Sequence, residues 1–357
     1  MIDPREYITE QLSIILGIPV QPSPAVVKRA WAYLSREEEG SAVKDVHGNF
    51  PPEQSLLCRL GLLEHPPLHA DIAALGHEYA AHDPRWPKGH RFAACLTHDV
   101  DRIVKLPWRE RFRQMYTLSD RISLQRTVRW AAVGTYFAMQ SALGYSDPAP
   151  FDAWLEEEAR FGFHSTFFVL PEHLAVPTLY DHYYRYDDRV HFRGQGMRFQ
   201  EAARLASEAG WEIGLHGSYS SALDERIFSA EKGQIEAMLG APILSTRQHF
   251  LRYDPAVTPR IHHRAGVEAD STVGYSTAIG CRAGIAFPYF LPMEGDVLEV
   301  PLSIQDVGLL RIHGHRLNLD AAIMRAQALI KRIADAGGVV TLSWHTHPES
   351  PGAHPCY

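Results

Sequence analysis

The sequence contains few cysteines and no long apolar run, and each shortage argues against a class of protein. Its 357 residues include only four cysteines, at positions 58, 95, 281 and 356. Their wide separation argues against a disulfide framework and against a zinc site built from paired thiolates. No window reaches the about 18 consecutive apolar residues that a membrane-spanning helix requires. The first residues lack the basic region that opens a secretion signal, so we expect a cytoplasmic protein with reduced thiols.

Positive charge is not in excess either. The sequence carries 35 lysine and arginine residues against 42 aspartate and glutamate residues, for a net charge of -7. This balance gives no general attraction to nucleic acid. The hydrophobic fraction of 45% and the charged fraction of 22% are those of an ordinary globular protein. The chain is therefore expected to form one large domain, or one domain with an appendage.

The chain divides into two regions with different patterns of predicted secondary structure. Residues 1–90 are predicted to form a mainly helical N-terminal extension, interrupted by prolines between 19 and 24 and at 51–52. In residues 91–357, buried strands alternate with amphipathic helices, the pattern of a parallel sheet or barrel. Helices are predicted at 151–161, 199–209, 230–239 and 320–336, and strands at 164–170, 211–215, 297–302 and 339–344.

Two carboxylates end the apolar run that begins at Phe92. Asp99 and Asp101 are two residues apart, so on an extended chain both face one pocket just past the strand, while His98 faces the opposite side. Enzymes with parallel α/β sheets keep their chemistry at this end of the strands. The carboxylates repel, so either a metal ion or an arginine compensates them, or one pKa rises and that group becomes a general acid or base. A capped turn after a strand is the alternative interpretation.

Three further predicted strands end in polar side chains. They are followed by His216, by Arg247 and His249, and by His345. An ordered series of this kind is far less expected by chance than any one of its members. His216 has an alternative role as a strand-end histidine that bonds the backbone, and His345 as an exposed residue near the chain end. The series as a whole favours one hydrolytic site at the rim of a barrel.

Other interpretations concern residues beside this series. Arg247 has alternative partners in Asp270 or Glu212, with which it would form a structural ion pair. His262 and His263 are predicted to lie at the surface.

Six segments carry a resemblance to a known family: Leu96–Asp101, Ser165–Leu170, Glu212–His216, Arg247–Arg252, Asp270–Thr272 and Leu342–His345. Together they resemble the polysaccharide deacetylase superfamily, carbohydrate esterase family 4 with its NodB-homology domain, in a divergent branch. The resemblance covers roughly residues 91–348. It implies an α/β fold, a distorted (β/α)7-type barrel, that removes acetyl groups from N-acetylated sugars with one divalent metal ion, usually zinc.

The resemblance also implies a role for each matching residue. Asp99 corresponds to the catalytic base and Asp101 to the metal-binding aspartate. His216 corresponds to the first histidine of the second motif, a metal ligand. Arg247 corresponds to the arginine that holds the base, and His345 to the general acid.

The chain departs from the family pattern at two positions. Val100 separates two aspartates that are usually adjacent, and Ser220 stands where a second metal-binding histidine is usual. A hydroxyl is a poor zinc ligand compared with imidazole. His249 is predicted as the replacement ligand because it follows Arg247 by two residues and should share its face. A hydrogen bond from His249 to a loop carbonyl is the alternative.

The sequence therefore predicts a metal-dependent N-deacetylase that acts on an N-acetylated sugar or polysaccharide precursor. Two alternatives stay open, an amidase for a non-sugar amide and a catalytically inactive glycan-binding member of the same fold. An insertion at about 102–148 joins a basic segment to an apolar one. It is expected to pack as an amphipathic lid over the barrel, or to make weak contact with a membrane surface that presents a lipid-linked sugar.

Overall fold

The computed structural model describes residues 2–81, 86–103, 151–181, 184–312, 315–316 and 318–346. From residue 104 onward, the insertion predicted at about 102–148 lies outside these ranges. The helices are α1 (Pro4–Leu16), α2 (Pro24–Leu34), α3 (Glu37–Gly40), α4 (Leu56–Arg59), α5 (Leu68–Glu78), α6 (Phe151–Phe161), α7 (Phe199–Glu208), α8 (Glu225–Leu239), α9 (Thr258–Arg264), α10 (Asp306–Leu310) and α11 (Leu319–Asp335). The strands are β1 (Ala93–Val100), β2 (Thr166–Val169), β3 (Arg189–Phe192), β4 (Gln195–Arg198), β5 (Glu212–Gly217), β6 (Ser245–Gln248), β7 (Ala269–Asp270), β8 (Tyr289–Phe290), β9 (Leu298–Glu299), β10 (Ile304–Gln305), β11 (Arg311–Ile312), β12 (His315–Arg316) and β13 (Val339–Ser343).

Nine strands form one sheet in the order β10, β13, β1, β2, β5, β6, β7, β9, β8. Neighbouring strands are parallel except for β8 and β9. The segment from Leu298 to Gln305 begins beside β7 and ends beside β13, so it connects the two sides of the sheet. The predicted α/β fold with a distorted (β/α)7-type barrel is confirmed.

The amphipathic helices cover the outer face of this sheet, and α7 shows why. Phe199, Ala202, Ala203 and Ala206 recur at helical spacing and are all buried. They belong to the same apolar core as Phe167 of β2. The predicted positions of α6, α7 and α11 agree with the structure to within one residue.

The strand predicted over 297–302 is shorter than expected. Its ladder pairing covers Leu298 and Glu299, and the amide of Val300 still donates to the backbone oxygen of Asp270. Pro301 has no amide hydrogen with which to continue the ladder. The chain therefore leaves β7 at this point and crosses towards β13.

The N-terminal helices pack against the barrel through a separate apolar core and a buried ion cluster. Residues of α1 and α2, such as Ile8 and Leu34, share that core with Phe287. The carboxylate of Glu39 accepts hydrogen bonds from Arg36 and from Arg282 in the barrel. Burial alone would raise the pKa of Glu39, but the two guanidinium groups lower it to about 2. In the part of the chain that the structure describes, no helix combines the length and apolar character required to cross a bilayer.

Candidate metal centre

Strand β1 brings two buried carboxylates to the rim of the barrel. Asp99 lies near the end of the strand and Asp101 directly follows it, and each side chain is about 4% exposed. Val100, between them, is buried in the apolar core. The alternation of an extended chain therefore directs both carboxylates to the inner side, as the spacing predicts.

Asp101 lies against two histidines that come from neighbouring strands. Its Oδ1 atom is 3.4 Å from Nε2 of His216, on β5, and 3.6 Å from Nδ1 of His249, which directly follows β6. The two ring nitrogens are 3.0 Å apart. All three side chains are buried, and one ligand atom from each lies within 4.8 Å of the others. The structure thus brings together the three residues that were predicted to bind metal.

The hydrogen bond of the outer ring nitrogen determines the tautomer of His216 and of His249. Nδ1 of His216 is 2.9 Å from the backbone oxygen of Arg247, and Nε2 of His249 is 2.9 Å from the backbone oxygen of Tyr180. A carbonyl oxygen only accepts hydrogen bonds, so these nitrogens carry the protons of the neutral rings. The inward nitrogens then present lone pairs to each other, beside the Asp101 carboxylate. Three converging electron-pair donors fit a divalent cation, and a backbone carbonyl on the outer nitrogen is typical of metal-binding histidines.

Burial supports the neutral form of His249. Burial, together with the nearby His216, lowers the pKa of His249 in spite of the opposing charge of Asp101. A neutral imidazole is the form that binds metal. Two imidazoles and a carboxylate suit zinc and several other divalent transition metals, so the donor set alone leaves the metal open.

Ser220 does not belong to this donor group. Its hydroxyl donates to the backbone oxygen of Val176 at 3.3 Å. His249, from the next strand, supplies a third donor instead. The alternative interpretation of His249, a hydrogen bond to a loop carbonyl, is also observed, but it uses the other ring nitrogen and leaves Nδ1 directed inward.

Arg247 compensates the charge of Asp99. Its Nη1 donates to Oδ1 of Asp99 at 2.9 Å and to Oγ1 of Thr97 at 2.6 Å. Nε and Nη2 donate to the backbone oxygen and the hydroxyl of Ser271, at 2.9 and 2.7 Å. Burial alone would raise the pKa of Asp99, but Arg247 and two neighbouring histidines lower it to about 2. Asp99 is therefore ionised at neutral pH.

The alternative partners of Arg247 bond elsewhere. Glu212 accepts from the hydroxyl of Thr166, and Oδ2 of Asp270 lies 3.0 Å from Nδ1 of His262. This contact makes the predicted surface position of His262 wrong. The ring is fully buried, and its two nitrogens are bonded to Asp270 and, at 2.9 Å, to the side-chain amide of Gln248. Their polar partners offset the cost of burying the ring.

His345 lies just past the end of β13, with its side chain 12% exposed, so it is not an exposed tail residue. Its Nε2 is 3.8 Å from Oδ2 of Asp99 and 3.9 Å from Oδ2 of Asp101. Its Nδ1 bonds to Asp306 at 2.6 Å. Burial alone would lower the pKa of His345, but Asp306 and then the other two aspartates raise it to about 10. Asp306 was not predicted, although it directly follows β10 as Asp101 follows β1, and the same strand-end pattern could have identified it.

Comparisons with known proteins find similarity in structure. No family model matches the chain, and no curated protein matches it. A solved structure described as a "putative polysaccharide deacetylase from Mycobacterium smegmatis" is similar with 21% identity and a TM-score of 0.47, over 77% of this chain and 84% of that one. The structure of Puue allantoinase is similar with 15% identity and a TM-score of 0.46, over 78% of this chain and 86% of that one.

A buried carboxyl group next to the His216 segment makes stability depend on pH. Glu231 of α8 is 1% exposed, and its Oε2 accepts from the backbone amide of Ser218, two residues after His216. Burial raises the pKa of Glu231 from 4.5 to about 7, against hydrogen bonds that favour the ionised form. The native state therefore binds a proton more readily than the unfolded state, so Glu231 makes the protein less stable as the pH rises through this range.

Glu231→Gln is expected to stabilise the protein by about 3 kcal/mol at about pH 8. The gain should disappear below about pH 4.5, because both side chains are then neutral and glutamine keeps an oxygen for the amide of Ser218. Urea denaturation at the two pH values, with a chelator present, measures the difference. Glu208→Gln, at an exposed position of α7, is the matched control and should change little. A gain of equal size at both pH values would contradict the explanation.

Proposed function

We propose that the protein is a metal-dependent hydrolase that removes an N-acetyl group from an N-acetylated sugar, with zinc as its metal. One observation carries the proposal. The buried donors Asp101, His216 and His249 converge beside an ionised carboxylate, Asp99, and a protonated imidazole, His345. Donors alone would also suit a structural metal, whereas an adjoining base and acid are what amide hydrolysis requires.

The chain's own residues suit the steps of such a reaction. A divalent ion at this site would acidify a water molecule and polarise the amide carbonyl. Asp99, kept ionised by Arg247, is placed to accept the proton of the attacking water. His345, held by Asp306 at 2.6 Å, is placed to donate a proton to the departing nitrogen. Protonation makes the nitrogen leave as an amine, which is a far better leaving group than an amide anion.

The proposed substrate is supported by the motifs and by the residues that line the cavity. The motif resemblance supports an acetylated sugar, free or lipid-linked. Polar residues that line the cavity in front of the site, among them Ser276, Thr277 and Gln305, are compatible with the hydroxyl groups of a sugar. A non-sugar amide would use the same catalytic groups.

Acetate release from metal-defined protein tests this proposal. The protein is stripped with a chelator, reloaded with zinc, and mixed with N-acetylated mono- and oligosaccharides and with simple acetamides. We expect the zinc-loaded protein to release acetate and the stripped protein to release none. Asp99→Asn should bind zinc as well as the wild type but lower kcat by about 100-fold or more, because the amide cannot accept the proton.

Each other result points to a different function. Release from acetamides and from none of the sugars would favour the amidase. Zinc binding without release from any compound would support an inactive, glycan-binding protein. Failure to bind any divalent metal would contradict the metal centre itself.

A further inference from the structure

The cavity in front of the metal centre has a wall that the barrel does not supply. The cavity measures about 290 Å³, and its barrel side includes Asp99, Asp101 and His345. Asp45 and His47, which lie in the chain between α3 and α4, also line it. We propose that His47 contacts the substrate and, with Asp45, restricts it to a compact polar molecule the size of one sugar. This inference rests on the proposed function and adds a specificity-determining residue to it.

The ring of His47 is held in place by aromatic neighbours. Its centroid lies 4.5 Å from that of Phe250 and 4.8 Å from that of Tyr180. Its Nδ1 is 3.3 Å from the hydroxyl of Tyr219. Phe250 directly follows His249, so the ring that lines the cavity packs on the loop that carries a candidate metal ligand.

Hydrogen bonds between side chains and the backbone hold residues 45–49 against the loop that begins at His249. Oδ1 of Asp45 accepts from the amides of His47 and Asn49, both at 2.8 Å, and closes a tight turn. The side-chain amide of Asn49 donates to the backbone oxygen of Phe250 at 2.7 Å, and Nε of Arg252 donates to the backbone oxygen of His47 at 2.9 Å. Residues 45–49 are therefore ordered before substrate binds, so binding does not lose free energy to the ordering of this segment.

His47 and Asp45 offer complementary hydrogen-bonding groups. A phenol donates more readily than it accepts, so the hydroxyl of Tyr219 donates to Nδ1 of His47. The neutral ring then carries its proton on Nε2. Within the described residues, that Nε2 has no hydrogen-bond partner, and neither has Oδ2 of Asp45. A donor and an acceptor on two residues that line the same cavity suit the hydroxyl and carbonyl groups of an acetylated sugar.

The size of the cavity argues for a small substrate. Sites for small molecules usually measure roughly 300–1,000 Å³, so a volume of about 290 Å³ lies at the lower end. One sugar ring with its acetyl group fills such a space, and further rings of a polymer would lie outside it. We therefore expect single N-acetylated sugars to be better substrates than long oligomers.

His47→Phe tests the contact, because phenylalanine keeps the ring against Phe250 and Tyr180 but removes both nitrogens. Zinc-loaded protein is assayed with N-acetylglucosamine and with its linear tetramer. We expect KM for the single sugar to rise about tenfold, the effect of one lost hydrogen bond of about 1.4 kcal/mol, with kcat within about twofold. Zinc content should not change. Val46→Ala, at a neighbouring side chain that is 87% exposed, is the matched control and should leave KM unchanged.

Three results would overturn the inference: an unchanged KM in His47→Phe, loss of zinc from that variant, or a wild-type preference for the tetramer. Should the wild type release no acetate, binding of N-acetylglucosamine is measured instead by saturation-transfer NMR. Binding that weakens in His47→Phe would support the inference although the proposed hydrolysis fails. Absence of binding to the wild type would overturn the assignment of the cavity to a single sugar.

Discussion

His249→Ala is expected to lose the bound metal ion and, with it, catalysis. The substitution removes one of the three buried donors that converge at the site. Loss of an outer partner of a ligand typically lowers metal affinity by roughly 10- to 100-fold, so loss of the ligand itself should cost more than about 100-fold. Zinc titration against a competing chelator measures the affinity, and elemental analysis after dialysis measures the retained metal.

Ser220→Ala is the control for this prediction. The hydroxyl of Ser220 bonds to the backbone oxygen of Val176, so its removal should leave zinc affinity within about twofold. Circular dichroism of both variants in chelator shows whether each chain is folded. If Ser220→Ala lost the metal while a folded His249→Ala retained it, the assignment of the third ligand would be wrong.

Arg247→Met is expected to destabilise the metal-free protein by about 3–5 kcal/mol at neutral pH. The wild-type guanidinium is fully buried, bonded to Asp99, Thr97 and Ser271, and lies 4.6 Å from the ring centroid of Phe168. Methionine fills much of the space but leaves the Asp99 carboxylate buried without its compensating charge. Urea denaturation in the presence of a chelator measures the loss.

The loss of stability in Arg247→Met should become smaller as the pH falls. In the wild type, the lowered pKa of Asp99 contributes stability above the ordinary value of 3.8, which is lost as the pH falls through about 2. In Arg247→Met, burial raises the pKa of Asp99, so protonation relieves the uncompensated charge. The deficit relative to the wild type should therefore shrink as the pH falls from about 7 to about 5.

Two variants control this prediction. Arg160→Met, at a side chain that is 72% exposed, should change stability by less than about 0.5 kcal/mol. Combining Asp99→Asn with Arg247→Met should cost clearly less than the sum of the single changes, because neither charge then remains buried alone. Additive losses, or a loss below about 1 kcal/mol at both pH values, would show that the pair does not compensate as described.

Strand periodicity and strand ends predicted much of the site. Because parallel strands present their carboxyl ends at one rim, the polar residues at the ends of β1, β5, β6 and β13 were expected to converge, and they do. The same alternation predicted that His98 faces away from Asp99. Its Nε2 is 2.9 Å from Glu158 of α6, on the helix side of the sheet, so this prediction is confirmed. The roles assigned to the site residues remain predictions until the variants are measured.

Two parts of the site do not follow from strand alternation, and the face predicted for His249 was wrong for this reason. His249 does not continue β6 on the face of Arg247 but begins a turn of 3-10 helix in which Phe250 and Leu251 have φ values of 59° and 52°. Neither residue is the glycine or asparagine that usually marks a left-handed backbone, and such conformations cost roughly 1–3 kcal/mol each. His47 packs on Phe250, about two hundred positions later in the chain, and no local periodicity predicts a contact over that separation.

The pairing of β1 with β13 sets a constraint on biosynthesis. Ala93 pairs with Val339, and Thr97 with Ser343. Strand β1 therefore cannot complete its hydrogen bonds until β13 has been synthesised. While the ribosome adds the intervening residues, β1 is without one of its two neighbours and presents open amide and carbonyl groups to other nascent chains. The barrel can therefore close only after β13 has emerged from the ribosome, and the interval before that is when self-association is the greatest hazard.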